Sequence, residues 1–76
     1  MKTETFISTL NGKTYFVRDS ARVPDRRLQL LYIKHGLRPI DIYVSLDNNG
    51  KDIIVMLFDR DETADLYVKW LNHTLT

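Results

Sequence analysis

The apolar positions of this chain fall into four short stretches and two longer, helix-spaced sets. The short stretches flank two Asn-Gly dipeptides, Asn11-Gly12 and Asn49-Gly50. Asn-Gly suits the positive φ angles of a two-residue hairpin turn, so each dipeptide predicts a pair of antiparallel strands. Counting outward from the first gives strands at about 4–10 and 13–18, with Leu10 opposite Lys13, Ser8 opposite Tyr15 and Phe6 opposite Val17. The second lies between Ile40–Asp47 and Lys51–Phe58 and sets Leu46 opposite Ile53, Val44 opposite Val55 and Ile42 opposite Leu57. That face is wholly apolar and is expected to be core. The other face pairs Tyr43 with Met56, Ser45 with Ile54 and Asp41 with Phe58, which is greasier than a face meant for water. The strand Ile53–Phe58 therefore reads as central, with cover wanted on both sides.

Between the hairpins, Pro24 fits a helix's first turn and Gly36 the left-handed position just past a helix end, with Pro39 blocking continuation. The helix predicted over 24–35 gathers Leu28, Leu31, Tyr32 and His35 on one face. Leu30 and Ile33 fall on the opposite side beside Arg26 and Lys34; a strand over Leu28–Ile33 is the competing reading, and the capping residues favour the helix. A last helix starts at Asp59, with Glu62 completing a capping box. Its core stripe is expected to be Ala64, Tyr67, Val68, Leu71 and Leu75, leaving Leu66 and Trp70 outside. The whole, residues 1–76, reads as a single small α+β domain, ββαββα, an antiparallel four-stranded sheet with two helices packed on one face.

Composition narrows what such a domain does. A chain of 76 residues, 43% hydrophobic and 28% charged, supports one modest folded core and no cofactor-sized cavity. With no cysteine there is no disulfide, zinc-thiolate site or thiol nucleophile, which fits a cytoplasmic setting. The longest apolar run, Ile53–Phe58, is far short of the ~20 residues of a membrane span, and residues 1–5 lack the apolar core of a signal peptide. The net charge of +1 conceals a division. Residues 1–38 hold eight lysines and arginines against three acids, and residues 39–76 hold three against seven.

Several short motifs invite chemistry. Ile54–Thr63 is an apolar strand running into Asp59-Arg60-Asp61-Glu62-Thr63, which resembles the D-x-D-x-T signature of haloacid-dehalogenase-type phosphatases. The resemblance implies a nucleophile at Asp59, an acid–base residue at Asp61 and a magnesium ion. That family completes its site with a later lysine and further carboxylates, whereas residues 64–76 hold one acid, Asp65. Helix capping accounts for Asp59 and Glu62 without those parts. Asp47–Asp52 resembles a calcium loop, but aligning Gly50 with the loop's glycine puts Ser45 and Met56 at the first and twelfth ligand positions. Gly12-Lys13-Thr14 ends like a phosphate-binding loop, with Ile7 where that motif needs its first glycine. The stretch Thr9–Thr14 resembles ubiquitin's opening turn; a chain ending Leu75-Thr76 has no Gly-Gly tail for conjugation. His35 and His73 lack a second ligand at i+3 or i+4. No catalytic, cofactor or metal site is expected, and the protein is expected not to be an enzyme.

The surplus of apolar side chains is the feature that points to function. Leu30, Ile33, Leu66, Trp70, Tyr43, Ile54, Met56 and Phe58 exceed what one small core needs. Burying such side chains contributes about 1.5–3 kcal/mol each, so four or five offset an association cost of about 4–15 kcal/mol. The expectation is a non-catalytic protein–protein interaction module, a homodimer that inhibits or regulates a larger protein, of a class that phages and mobile elements encode in number. Leu30, Ile33, Tyr43, Met56, Phe58, Leu66 and Trp70 would make the apolar contact, and Arg26, Arg27 and Lys34 would steer an acidic partner surface. The alternative is an RNA- or DNA-binding accessory protein using the basic segment from Lys13 to Arg38, with Tyr15 and Tyr32 for stacking. A pI near 8.0 is low for that role.

Overall fold

A computed structural model describes residues 4–76. It contains a small hairpin, β1 (Thr5–Ile7) with β2 (Thr14–Phe16), and a separate three-stranded antiparallel sheet of β3 (Ser20–Val23), β4 (Asp41–Leu46) and β5 (Asp52–Asp59). Helix α1 (Arg26–Lys34) joins β3 to β4, and helix α2 (Arg60–Leu71) follows β5. The sheet order is β3-β5-β4, so β5 is central, as its apolar run predicts. The expected single four-stranded sheet is corrected to two sheets of two and three strands. A 3-10 turn at Val17–Asp19 ends the hairpin, and Ser20–Val23, too short to stand out in the sequence, takes the place beside β5.

Both hairpin registers differ from the expected ones, for identifiable reasons. In the first, Ser8 N–H donates to the Lys13 carbonyl (2.9 Å), leaving a four-residue loop, Thr9–Gly12, where two were expected. Phe6 consequently faces Tyr15. Ser8 and Thr9 leave the ladder because they bond elsewhere: Ser8 Oγ donates to the Ile40 carbonyl, and Thr9 donates through N–H and Oγ to the Asp41 carboxylate. In the second, Asp47 Oδ1 accepts the N–H groups of Asn49 and Lys51 (2.8 and 2.9 Å), and Gly50 takes φ +77°. The turn is thus three residues long, the arrangement a left-handed glycine supports. One extra residue turns the pairing over: Ile42 faces Met56 and Val44 faces Ile54. An odd slip exchanges the faces of one strand against the other.

The helix-covered face of the sheet therefore carries Met56 and Phe58, with Val23 from β3, instead of the expected Val55 and Leu57. Phe58 is fully buried and meets Tyr32 of α1 edge-on, ring centroids 5.2 Å apart. Leu28 and Leu75 complete this core, with Leu31, Leu37, Leu66 and Trp70 packed against it. Val55 and Leu57 point to the other face and are buried too; there Phe6 and Val17 share a cleft with Leu57. β5 is thus covered on both sides, by helices on one and by the hairpin on the other.

Helix α1 begins after Pro24, with Asp25 as its cap accepting the Leu28 N–H (3.0 Å), so it starts two residues later than expected. It ends as expected: Gly36 takes φ +90° and Leu37 N–H returns to the Tyr32 carbonyl (3.0 Å). Leu28 and Tyr32 face the core as their spacing predicts. One buried polar residue among them, Gln29, was not singled out by the sequence. Its amide nitrogen donates to the Val23 carbonyl (2.8 Å) and to the Ile54 carbonyl (2.7 Å). β3 departs at Pro24, which leaves Ile54 without a neighbouring strand on that side, and the Gln29 carboxamide stands in for it. At the end of α2, His73 takes φ +57° and Thr74 N–H donates to the Lys69 carbonyl (2.8 Å), turning the chain so that Leu75 enters the core.

Replacing Gln29 by leucine keeps the volume and strips the donors from two buried carbonyls. The expected loss is about 1–3 kcal/mol in urea unfolding; a loss below about 0.5 kcal/mol would show that the carbonyls find other donors. Burial pushes the Tyr32 phenol above its ordinary 10.0, and Tyr67 reinforces this. An acid with a raised folded-state pKa stabilises the fold until the unfolded chain begins to ionise. Stability should hold up to about pH 10 and fall above it, with a shallower fall in Tyr32→Phe, read from thermal midpoints across that range.

Candidate functional site

The ten side chains expected to make one contact surface are distributed over three places. Arg26, Arg27, Leu30, Ile33 and Lys34 lie exposed on α1. Tyr43 projects from the opposite face of the sheet, where its hydroxyl accepts a bond from Arg22 Nε (3.3 Å). Phe58 is wholly interior, and Met56, Leu66 and Trp70 are half-buried against the core. Phe58 is corrected from a surface anchor to a core residue, and Met56, Leu66 and Trp70 turn part of their surface into the core packing. The cause for Met56 and Phe58 is the odd register of the β4–β5 turn, which turns their face toward the helices. For Leu66 and Trp70 the cause lies in α2 itself. That helix has two apolar stripes, Thr63-Leu66-Trp70 and Ala64-Tyr67-Val68-Leu71, and it buries the first. One predicted pair from different helices does meet: the Arg27 guanidinium sits 6.0 Å from the Trp70 ring centre.

Of the stripe expected to be core, Leu75 is inside and the other four, Ala64, Tyr67, Val68 and Leu71, are outside. Tyr67, Val68 and Leu71 are 48%, 56% and 57% exposed, and Ala64 is exposed one turn before them. They occupy positions i, i+3, i+4 and i+7 of a helix whose other side is anchored in the protein. A second apolar strip runs along α1 and β4, where Leu30, Val44, Ile54 and Met56 line a groove of about 640 Å³ with Arg26 and Asp52 at its end. The first hairpin and the sheet enclose a cleft of about 450 Å³, walled by Phe6, Val17 and Leu57 and edged by Arg22, Arg60 and Asp41. Its polar groups serve the fold: Arg60 donates to the Ser20 carbonyl (3.0 Å), and Asp41 Oδ1 accepts from Thr9 and from the Ile42 N–H (3.0 Å).

The carboxylates of the motifs that resemble chemistry make local backbone bonds. Asp59 Oδ1 accepts the N–H groups of Asp61 and Glu62 (2.9 and 3.2 Å), which is a helix cap, while Asp61 and Glu62 are exposed. Asp47 spends its carboxylate on its own turn. His35 Nε2 lies 2.9 Å from the Thr76 carbonyl, so that nitrogen carries the proton and donates. Among the described residues no three of His, Asp and Glu gather to hold a metal ion, and no helix is long and apolar enough to cross a membrane. No known family, curated protein or solved structure matches the chain.

Exposure alone could not be read from spacing, because both α2 stripes have helical periodicity. Leu75 shares the spacing of the outer stripe, yet it enters the core because the turn at Asn72–Thr74 ends the helical period before it. Trp70→Ala should lower stability by about 2–3 kcal/mol, and Tyr67→Ala by about 0.5 kcal/mol or less, both measured by urea unfolding. The reverse order would mean that α2 is rotated in solution.

Proposed function

We propose that the protein is a non-catalytic interaction module that docks on a larger protein and inhibits or regulates it, with the outer stripe of α2 as the contact. The observation that carries this reading is the exposed set Ala64, Tyr67, Val68 and Leu71 on a helix already held in place. An anchored helix loses little conformational freedom on docking, so its apolar face is available to fill a hydrophobic groove. Tyr67 supplies a broad amphipathic ring, and Leu71 and Val68 the aliphatic contacts beside it. Arg27 and Lys69 lie on the same helical layer and fit a partner whose groove has an acidic rim.

A second reading, nucleic-acid binding, rests on the cations. The only ion pair among the described residues joins Arg18 and Asp19 at 4.0 Å, which leaves Lys13, Arg22, Arg26, Arg27, Lys34 and Arg38 exposed without a carboxylate. They are spread over the hairpin, β3 and α1, and this dispersal favours the protein-docking reading over a continuous phosphate track.

The test is a tagged pull-down from source-cell lysate with wild type and with Tyr67→Asp/Leu71→Asp, each with and without nuclease. A protein retained at stoichiometric yield after nuclease and at high salt, and lost with the double variant, is the expected result. Equal capture by the variant would overturn the assignment to α2. Loss of everything on nuclease treatment would move function to the cations, whose phosphate contacts weaken steeply with salt.

A further inference from the structure

We propose that β4 is a dimer edge, at which two copies of this chain pair β4 to β4 antiparallel and join their three-stranded sheets into one of six strands. This is independent of the docking role of α2.

The two edges of the sheet are unlike. β3 offers four residues, carries Arg22 and is closed by Pro24. β4 offers Ile42, Tyr43, Val44, Ser45 and Leu46 in a row, with no charge, proline or bulge among them. Monomeric proteins blunt such an edge, because its outward N–H and C=O groups are a template for another strand. Here they are open. The bond from Asp47 N–H to the Lys51 carbonyl (2.9 Å) sets the phase of the β4–β5 ladder, so residues 41, 43 and 45 turn their backbone groups inward and 42, 44 and 46 turn theirs outward. The Ile42 N–H is taken by Asp41 (3.0 Å). The free set is then Val44 N–H and C=O, Leu46 N–H and C=O, and the Ile42 C=O.

All of those groups except the Leu46 carbonyl find a partner in a second copy. The uncharged run is centred on Val44, and pairing about that residue lets each Val44 exchange two bonds with Val44 of the second copy. Each Leu46 N–H meets the Ile42 carbonyl of the second copy, which the Asp41 bond has left free as an acceptor. On the helix-covered face the pairing sets Val44 beside Val44 and Ile42 beside Leu46, burying side chains that are 67% exposed at Val44 and 62% at Leu46. The apolar strip along Leu30 and Ile54 becomes continuous across the two copies. On the other face Tyr43 lies against Ser45, a contact without charge. At the ends this register sets Asp41, whose carboxylate is held by Thr9 and the Ile42 N–H, opposite the second copy's Asp47, whose carboxylate is held by its own turn. A strand from an unrelated protein would satisfy the backbone, but the meeting of a Leu46 N–H with an Ile42 carbonyl whose own N–H is held by Asp41, and the centring of the uncharged run on Val44, belong to this chain.

The test is sedimentation equilibrium over a wide concentration range for wild type, Val44→Lys and Leu71→Lys. Wild type and Leu71→Lys should pass from monomer to dimer with rising concentration, and Val44→Lys should stay monomeric with an unchanged circular dichroism spectrum. Amide exchange on the wild type decides the matter without any variant: Val44 and Leu46 should gain protection as concentration rises. A monomeric wild type with fast Val44 exchange, or a dimer that survives Val44→Lys, would overturn the proposal.

Discussion

The carboxamide of Gln29 is the joint on which the arrangement turns. β5 is the central strand, yet its neighbour β3 is only four residues long and must leave at Pro24 for α1 to begin. Without a substitute the Ile54 carbonyl would be left facing the protein without a donor, at a cost comparable to a lost hydrogen bond. Gln29, one turn into α1, closes the gap and holds the end of β3 with the same nitrogen. That fixes where α1 lies along β5, and hence sets Tyr32 on Phe58. The position of α2 follows, since Leu66, Trp70 and Leu75 pack against the same core.

The parts of the fold written in local chemistry were legible from the chain alone. Asp25, Gly36 and Asp59 mark helix ends, and each does so through backbone bonds that involve only near neighbours. The apolar run at Ile53–Phe58 announces a central strand because both of its faces are greasy. What was not legible depends on partners far along the chain or on a choice between two local turns. The register of the first hairpin is set by Ser8 and Thr9 bonding to Ile40 and Asp41, 32 residues away. The register of the second depends on whether Asp47 uses its carboxylate to lengthen the turn by a residue, a choice that Asn49-Gly50 does not specify.

The same distinction governs the candidate surfaces. A surplus of apolar residues was countable from composition, but which of them were surplus was not. In α2 two stripes compete, and in the sheet parity decides between Met56-Phe58 and Val55-Leu57 for the helix side. The outcome leaves Tyr67, Val68 and Leu71 outside on α2, and Val44 and Leu46 outside on β4. The basic residues of α1 kept their exposed positions because a charged side chain on a short helix has nowhere else to go.

The first hairpin is tied to the rest of the molecule chiefly by polar bonds gathered at one end, from Ser8 to Ile40 and from Thr9 to Asp41. Its own ladder has three pairs. Such a unit belongs to the low end of the spread of local opening free energies, because so few contacts must break for it to detach while the rest of the fold stays closed. Opening there would uncover Val55 and Leu57, the apolar face of the central strand, with both helices still seated on the other side. The molecule thus has a built-in cooperative boundary between residues 16 and 20, and two layers of its three can persist without the third.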